Sequence, residues 1–232
     1  DMDCSSIFFT PGFPSCVNHW SKLATLLDIE NQGSCSHDKV LVAQTFGRET
    51  GFLAGATRIA DPERKLPFVI LIPEDIQPVD KILQKIDNNL KKYGRTIVFI
   101  SEGYDLGFIG NIKDSSGQIM YGSNKTTAAQ LLVDKLLENN IQARSFIPTV
   151  LQRQAINDTL IFDRDVAFKL GEQTVSQFAL GNSNFLTTIK KDKNCQLDQS
   201  IGYIPFRDFD NFSRVLKNEF IAKESFDVSD LY

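Results

Sequence analysis

The chain reads as an α/β protein built on a parallel sheet, and three features of its 232 residues carry that reading. Short apolar runs at 40–44 (VLVAQ), 68–72 (FVILI) and 96–100 (TIVFI) are continuous rather than alternating, as in strands covered on both faces. Amphipathic stretches of helical length separate them. Glycine and proline punctuate the joins at Gly47, Pro62, Pro78 and Gly94. Strand, helix and strand in that succession form crossover units, which make the strands parallel.

Each element has its own local argument. Pro11 and Pro14 precede a helix predicted over 15–27, with Val17, Trp20, Leu23, Ala24 and Leu27 on one face. The polar loop from Glu30 to Asp38 leads into the first strand. A helix is predicted from Gly47 to Ala60, stopped by Asp61-Pro62. Pro78 opens a longer helix with Val79, Ile82, Leu83, Ile86 and Leu90 in register, and Gly94 closes it. Lys113–Met120 reads as a hairpin turning at Ser116-Gly117. Helices are expected over 126–137 and 162–180, the second ended by Gly181. Strand and loop are expected over 141–150, a late strand over 185–189 and a last helix near 212–220.

Composition narrows the function. Hydrophobic residues make up 42% and charged residues 23%, the balance of a globular protein with a sizeable core. A net charge of −4 argues against nucleic acid as partner, because phosphate-backbone binding needs a basic face. No apolar run is long enough to span a bilayer and no segment reads as a signal peptide, so no membrane partner and a cytoplasmic location are expected. Cys4, Cys16, Cys35 and Cys195 form no CxxC pair and only His19 and His37 are present, which leaves little for zinc. The chain begins at Asp1 rather than methionine, and the expectation is a processed product, a subunit or part of a longer polypeptide.

Four groups at predicted strand ends or in adjacent loops could carry chemistry: Asp1-Met2-Asp3, Gly47-Arg48, Ser101-Glu102-Gly103 and Gln152-Arg153. Together they offer what phosphoryl transfer to a sugar hydroxyl requires. A carboxylate takes the proton, cations hold phosphate, and an acceptor fixes the sugar hydroxyls. Arginine suits phosphate because its planar fork bonds two oxygens at once. Taken singly, each group also reads as an ordinary turn with a solvated charge, and spacing alone does not bring the four together.

The motifs are similar to those of one family. Phe46-Gly47-Arg48-Glu49-Thr50-Gly51 matches a Met-Gly-Arg-x-x-Gly motif apart from its first residue, and Ser101-Glu102-Gly103 matches a Ser-Glu-Gly motif after a later strand. Leu151-Gln152-Arg153 stands where a phosphate-binding arginine loop precedes a return helix. Thr10-Pro11-Gly12-Phe13 matches the Pro-Gly-Phe that follows a catalytic Asp-Asn-Asp, which falls on Asp1-Met2-Asp3. In this order, from Asp1 to about Ile189, the chain resembles the 6-phosphofructokinase family, and within it the long pyrophosphate-dependent branch.

The resemblance implies a phosphofructokinase-like three-layer αβα fold with parallel sheets, the first part of the donor domain being absent from this chain. Residues 1–38 would be a remnant of the phosphoryl-donor domain and 39–155 the sugar-phosphate domain. Residues 156–232 would form the return helix, late strand and C-terminal segment. Asp1 would be the base at the 1-hydroxyl of fructose 6-phosphate, with Asp3 supporting it and holding Mg2+. Phe46, Gly47, Arg48, Glu102 and Arg153 would bind substrate, and pyrophosphate or ATP would be the donor. A homo-oligomer, or a complex with a polypeptide carrying the missing donor segment, is the expected assembly. The chain departs from the pattern at Met2 (Asn in the family), Phe46 (Met) and Val150 (His or Tyr), and the glycine-rich donor loops have no counterpart in it. These departures keep a second expectation open: a non-catalytic homologue acting as a sugar-phosphate-binding regulatory or structural subunit.

Overall fold

The computed structural model describes all residues except 1, 3, 9, 108–111, 116, 118, 122–125, 155, 190–200 and 211. The chain forms two compact units, one of Asp1–Asn18 with Ala155–Arg214 and one of His19–Gln154 with Val215–Tyr232. The second unit thus takes in residues 19–38 and 215–232. The reason is packing of those residues on the sheet.

The second unit is built on four parallel strands: β1 (Val40–Thr45), β2 (Phe68–Leu71), β3 (Thr96–Ser101) and β4 (Ala143–Phe146). Their order is β2-β3-β1-β4. Every residue of β1, β2 and β3 is buried, as their unbroken apolar runs require. On one face, Val42, Val98 and Ile100 meet Ile82 and Ile86 of α3 (Val79–Tyr93) and Leu132 and Leu136 of α4 (Ala128–Glu138) in one core. On the other, Trp20 of α1 (Phe13–Ser34) lies edge-on to Phe99 with ring centroids 6.2 Å apart, and Phe68 meets Phe99 at 5.0 Å. Helices therefore cover both faces, giving the expected αβα layering.

α1 follows its buried face, Trp20, Ala24 and Leu27, and runs on to Ser34, a turn and more beyond the predicted end. Asp28, on the same face, pairs with Arg95 at 2.5 Å just before β3. α3 ends where Gly94 adopts a left-handed conformation (φ +75°), the backbone that glycine reaches without strain. α4 opens on a capping box: Gln130 N–H donates to Thr127 Oγ1, and the Gln130 side chain accepts from Thr127 N–H.

Two predicted helices come out differently. Over 47–60 only α2 (Phe52–Ala56) and a 3-10 turn (Thr57–Ala60) are helical, and Gly47–Gly51 is an irregular turn with Gly47 at φ +137°. Near 212–220 the only helical residues described are a 3-10 turn, Asn218–Phe220. Here the chain is drawn out along the sheet unit: Leu216 N–H donates to the Glu74 carboxylate at 2.8 Å, and Ile70 N–H on β2 donates to Phe226 O at 2.8 Å. The short hairpin β7 (Ile221–Ala222) and β8 (Asp227–Val228) lies within this segment. Arg58 clasps Asp227 with two bonds of 3.0 and 2.7 Å, and donates to the Asp61 carboxylate at 3.0 Å and to Asp61 O at 3.3 Å.

In the first unit, α5 (Ile161–Ala179) is the predicted return helix, with Gly181 just beyond it at φ +81°. Its Asp163 is buried and accepts from the backbone N–H of Ser15 at 2.7 Å and from the Ser15 hydroxyl, tying the start of α1 to α5. β5 (Phe185–Ile189) pairs antiparallel with β6 (Ile201–Pro205), a strand the sequence pattern did not suggest. Among the described residues no helix is long and apolar enough to cross a membrane.

Candidate functional site

The strand order brings three of the four sequence groups together. β1 lies between β3 and β4, and each of these strands leads into one group: Gly47-Arg48 after β1, Glu102-Gly103 after β3, Gln152-Arg153 after β4. All three therefore emerge at the carboxyl edge of one sheet, the edge at which open α/β sheets take ligands.

The turns of β1 and β3 are locked to each other. Glu102 N–H donates to Thr45 O and Gly103 N–H to Gly47 O, both at 3.0 Å, which continues the parallel ladder past the strand ends. The approach is so close that only glycine fits at two positions. A Cβ on Gly103 would lie 1.6 Å from Arg48 O, and one on Gly47 would lie 2.3 Å from Thr50 O.

Glu102 is the buried charge of the site, only 8% exposed. Burial pushes its carboxyl pKa above the ordinary range; the Gly47 N–H donating to it and the charges of Arg48 and Arg153 pull it back without cancelling that rise. Tyr121 lies in the same field: burial and the charges of Glu102 and Glu49 raise its hydroxyl pKa, against Arg48.

On the other side of β1, the Arg153 guanidinium stacks 4.6 Å above the Phe46 ring. The neighbouring Gln152 is buried and holds that arrangement, its Oε1 accepting from Phe46 N–H at 3.1 Å and from Trp20 Nε1–H at 2.9 Å. One side-chain oxygen thus links the arginine loop, the β1 turn and α1. Two hydroxyls in register, Thr45 Oγ1 and Ser101 Oγ, are buried at this edge with no hydrogen-bond partner among the described residues.

Phe46, Gly47, Arg48, Glu102 and Arg153 accordingly lie together at one edge of the sheet. Asp1 and Asp3 lie outside the described residues. Gln152 and Tyr121 are additions: Gln152 stood in a noted motif without a role, and Tyr121 carried no local signal. Among the described residues no three His, Cys, Asp or Glu side chains gather to hold a metal ion.

The raised pKa of Glu102 has a consequence for stability. Between its unfolded and folded pKa the native state binds more protons, so its contribution is fully present below the unfolded value and is lost as pH rises through the folded one. Glu102→Gln, which mimics the protonated acid, is expected to melt above the parent at neutral pH, with the gap closing in acid. Thermal unfolding across a pH series checks this, and a gap that does not change with pH contradicts it.

The fold and this edge define the class, an α/β protein that buries a carboxylate, under the charges of two arginines, at the carboxyl edge of a parallel sheet. The family model "Phosphofructokinase" matches residues 1–178, and the chain belongs to the phosphofructokinase family. It is 25% identical over 232 residues to a pyrophosphate–fructose 6-phosphate 1-phosphotransferase of Rhodospirillum rubrum, covering 95% of this chain and 56% of that protein. It is 27% identical over 216 residues to an ATP-dependent 6-phosphofructokinase of Persephonella marina, covering 91% and 58%. The crystal structure of a pyrophosphate-dependent phosphofructokinase from Nitrosospira multiformis superposes with a TM-score of 0.77 at 25% identity, over 100% of this chain and 55% of that one. The chain spans about half the length of the relatives it matches.

Proposed function

We propose that this chain supplies the sugar-phosphate half of a phosphofructokinase, which transfers a phosphoryl group to the 1-hydroxyl of fructose 6-phosphate. The observation that carries this reading is the buried Glu102 beside the Gly47-Arg48 turn, under the charges of Arg48 and Arg153. Arg153, exposed and stacked on Phe46, presents a planar fork to a phosphate. Arg48 adds a second cation. Glu102, its charged form disfavoured by burial, gains most from a ligand that donates hydroxyl hydrogens to it.

Asp1 would take the proton from the 1-hydroxyl and Asp3 would support it, both on the strength of the motif register. Magnesium would be held through Asp3 and would neutralise charge on the phosphates of the donor. Pyrophosphate is the donor that the Rhodospirillum and Nitrosospira relatives' names suggest, with ATP the alternative that the Persephonella name suggests. A cytoplasmic location and an assembly that completes the donor site, as an oligomer or with a further polypeptide, belong to the same reading.

Calorimetric titration with fructose 6-phosphate, with glucose 6-phosphate as control, tests it. Selective binding is expected, and a folded sample that binds neither sugar phosphate counts against the assignment. Val150 favours the second reading, a non-catalytic sugar-phosphate-binding subunit: it is 56% exposed and apolar beside the arginine loop. Turnover after addition of a donor domain separates the two readings, since a regulatory subunit binds the sugar phosphate and still turns nothing over.

A further inference from the structure

We infer that Glu74 is a positioning residue for the Arg48 turn, and that residues 215–232 act through it as a strap holding that turn in its ligand-receiving form. The ligand side of this inference rests on the sugar-phosphate reading above; the strap itself does not.

The geometry converges on one carboxylate. Glu74 follows β2 at the same carboxyl edge as the site. Its Oε1 accepts from Gly51 N–H at 3.0 Å and from Leu216 N–H at 2.8 Å, so a single oxygen joins the end of the Gly47–Gly51 turn to the start of the strap. Among the described residues its Oε2 is buried with no partner, an arrangement costly enough to need a return elsewhere. Gly51 has no room to retreat: a Cβ there would lie 2.4 Å from Ile72 and 2.9 Å from Glu74 Oε2.

The far end of the strap grips the same short helix. The Tyr232 hydroxyl donates to Phe52 O, one residue past Gly51. Gly55, one helical turn on, is bare where Val228 and Tyr232 press in, at 2.9 and 3.0 Å from a would-be Cβ. Burial and the Glu74 charge both push the Tyr232 hydroxyl pKa up, which keeps it a donor. Between these ends, Asp227 is clasped by Arg58 and Phe226 O is bonded to β2. Gly51 stands three residues after Arg48, so a strap fixed at Gly51 and Phe52 limits where the Arg48 backbone can go.

The mechanism separates acceptor from charge. Glu74→Gln keeps an oxygen for both N–H groups; Glu74→Leu removes it. Amide hydrogen exchange over residues 46–52, measured against β3 amides as a folding control, is expected to speed up in Glu74→Leu and stay near the parent in Glu74→Gln. Fructose 6-phosphate affinity should fall about tenfold in Glu74→Leu, the size of one hydrogen bond to a charged group. In an Arg48→Ala background the same change should add less than about twofold, because residues acting through one another are not additive. Should Glu74→Leu fail to fold, Tyr232→Phe keeps the ring, loses the bond to Phe52 O, and is expected to loosen the same amides.

Unchanged exchange over 46–52 in the folded variants overturns the strap. Additive losses of affinity overturn its action through Arg48. A parent protein that binds no sugar phosphate overturns the functional reading alone, since the exchange result stands without a ligand.

Discussion

Adding one methyl group at position 103 is expected to weaken fructose 6-phosphate binding about a hundredfold while leaving the sheet folded. In Gly103→Ala the new Cβ would lie 1.6 Å from Arg48 O, 2.5 Å from Arg48 C and 2.9 Å from Arg48 Cα. All three are backbone atoms, so no side-chain rotation relieves the overlap. The two turns must part by more than about 1 Å, and the bond from Gly103 N–H to Gly47 O goes with them. A displacement of that size at a binding group costs on the order of a hundredfold in function. Overpacking costs stability too, on the order of 1–3 kcal/mol, which a core of this size tolerates. Calorimetry with the sugar phosphate reads the first effect and thermal unfolding the second. Near-parent affinity in a folded Gly103→Ala would mean that the turns do not have to meet for the ligand to bind.

Arg153→Ala should weaken sugar-phosphate binding by about 1.5–3 kcal/mol, the range for a hydrogen bond to a charged group, or about ten- to a hundredfold. Stability should hardly move, because Arg153 is exposed and its stacking on Phe46 is worth at most about 1 kcal/mol at such a site. Arg153→Lys tests what the side chain contributes. Lysine keeps the charge but lacks the fork and the planar face, so its affinity is expected between parent and alanine. Affinity for the sugar phosphate that is the same in all three proteins removes Arg153 from the site.

How far the site was legible in the sequence depends on the residue. Gly47, Arg48, Glu102 and Arg153 stand out because they fall in short motifs similar to those of one family, although each taken singly also reads as an ordinary turn. Gln152 does not, since nothing in its neighbours tells that a buried amide oxygen will accept from both Phe46 and Trp20. Glu74 is hidden for the same reason: its two donors, Gly51 and Leu216, lie far apart along the chain. Tyr121 belongs to the site only through the charges around it.

The elements divide in the same way. The buried strands were read closely because a strand covered on both faces is apolar throughout, whatever its neighbours. α3 was read nearly to the residue, because period, opening proline and closing glycine agree. The helix expected over 47–60 failed in its first turn. Helical spacing there is real, but contact with Glu102 and Gly103 holds Gly47 at φ +137°, outside the helical region. The helix expected near 212–220 failed because Leu216 and Ile221 are buried along an extended strap instead.

The elements that could be read along the chain are those whose cause is local: period, punctuation and short motifs. Which strand lies beside which was decided only in three dimensions. The order β2-β3-β1-β4 follows from pairing between residues tens of positions apart, and that order alone places Arg48, Glu102 and Arg153 at one edge. The upward shift of the Glu102 pKa arises there too, because desolvation is a property of everything packed around a group and not of the residues beside it in the chain.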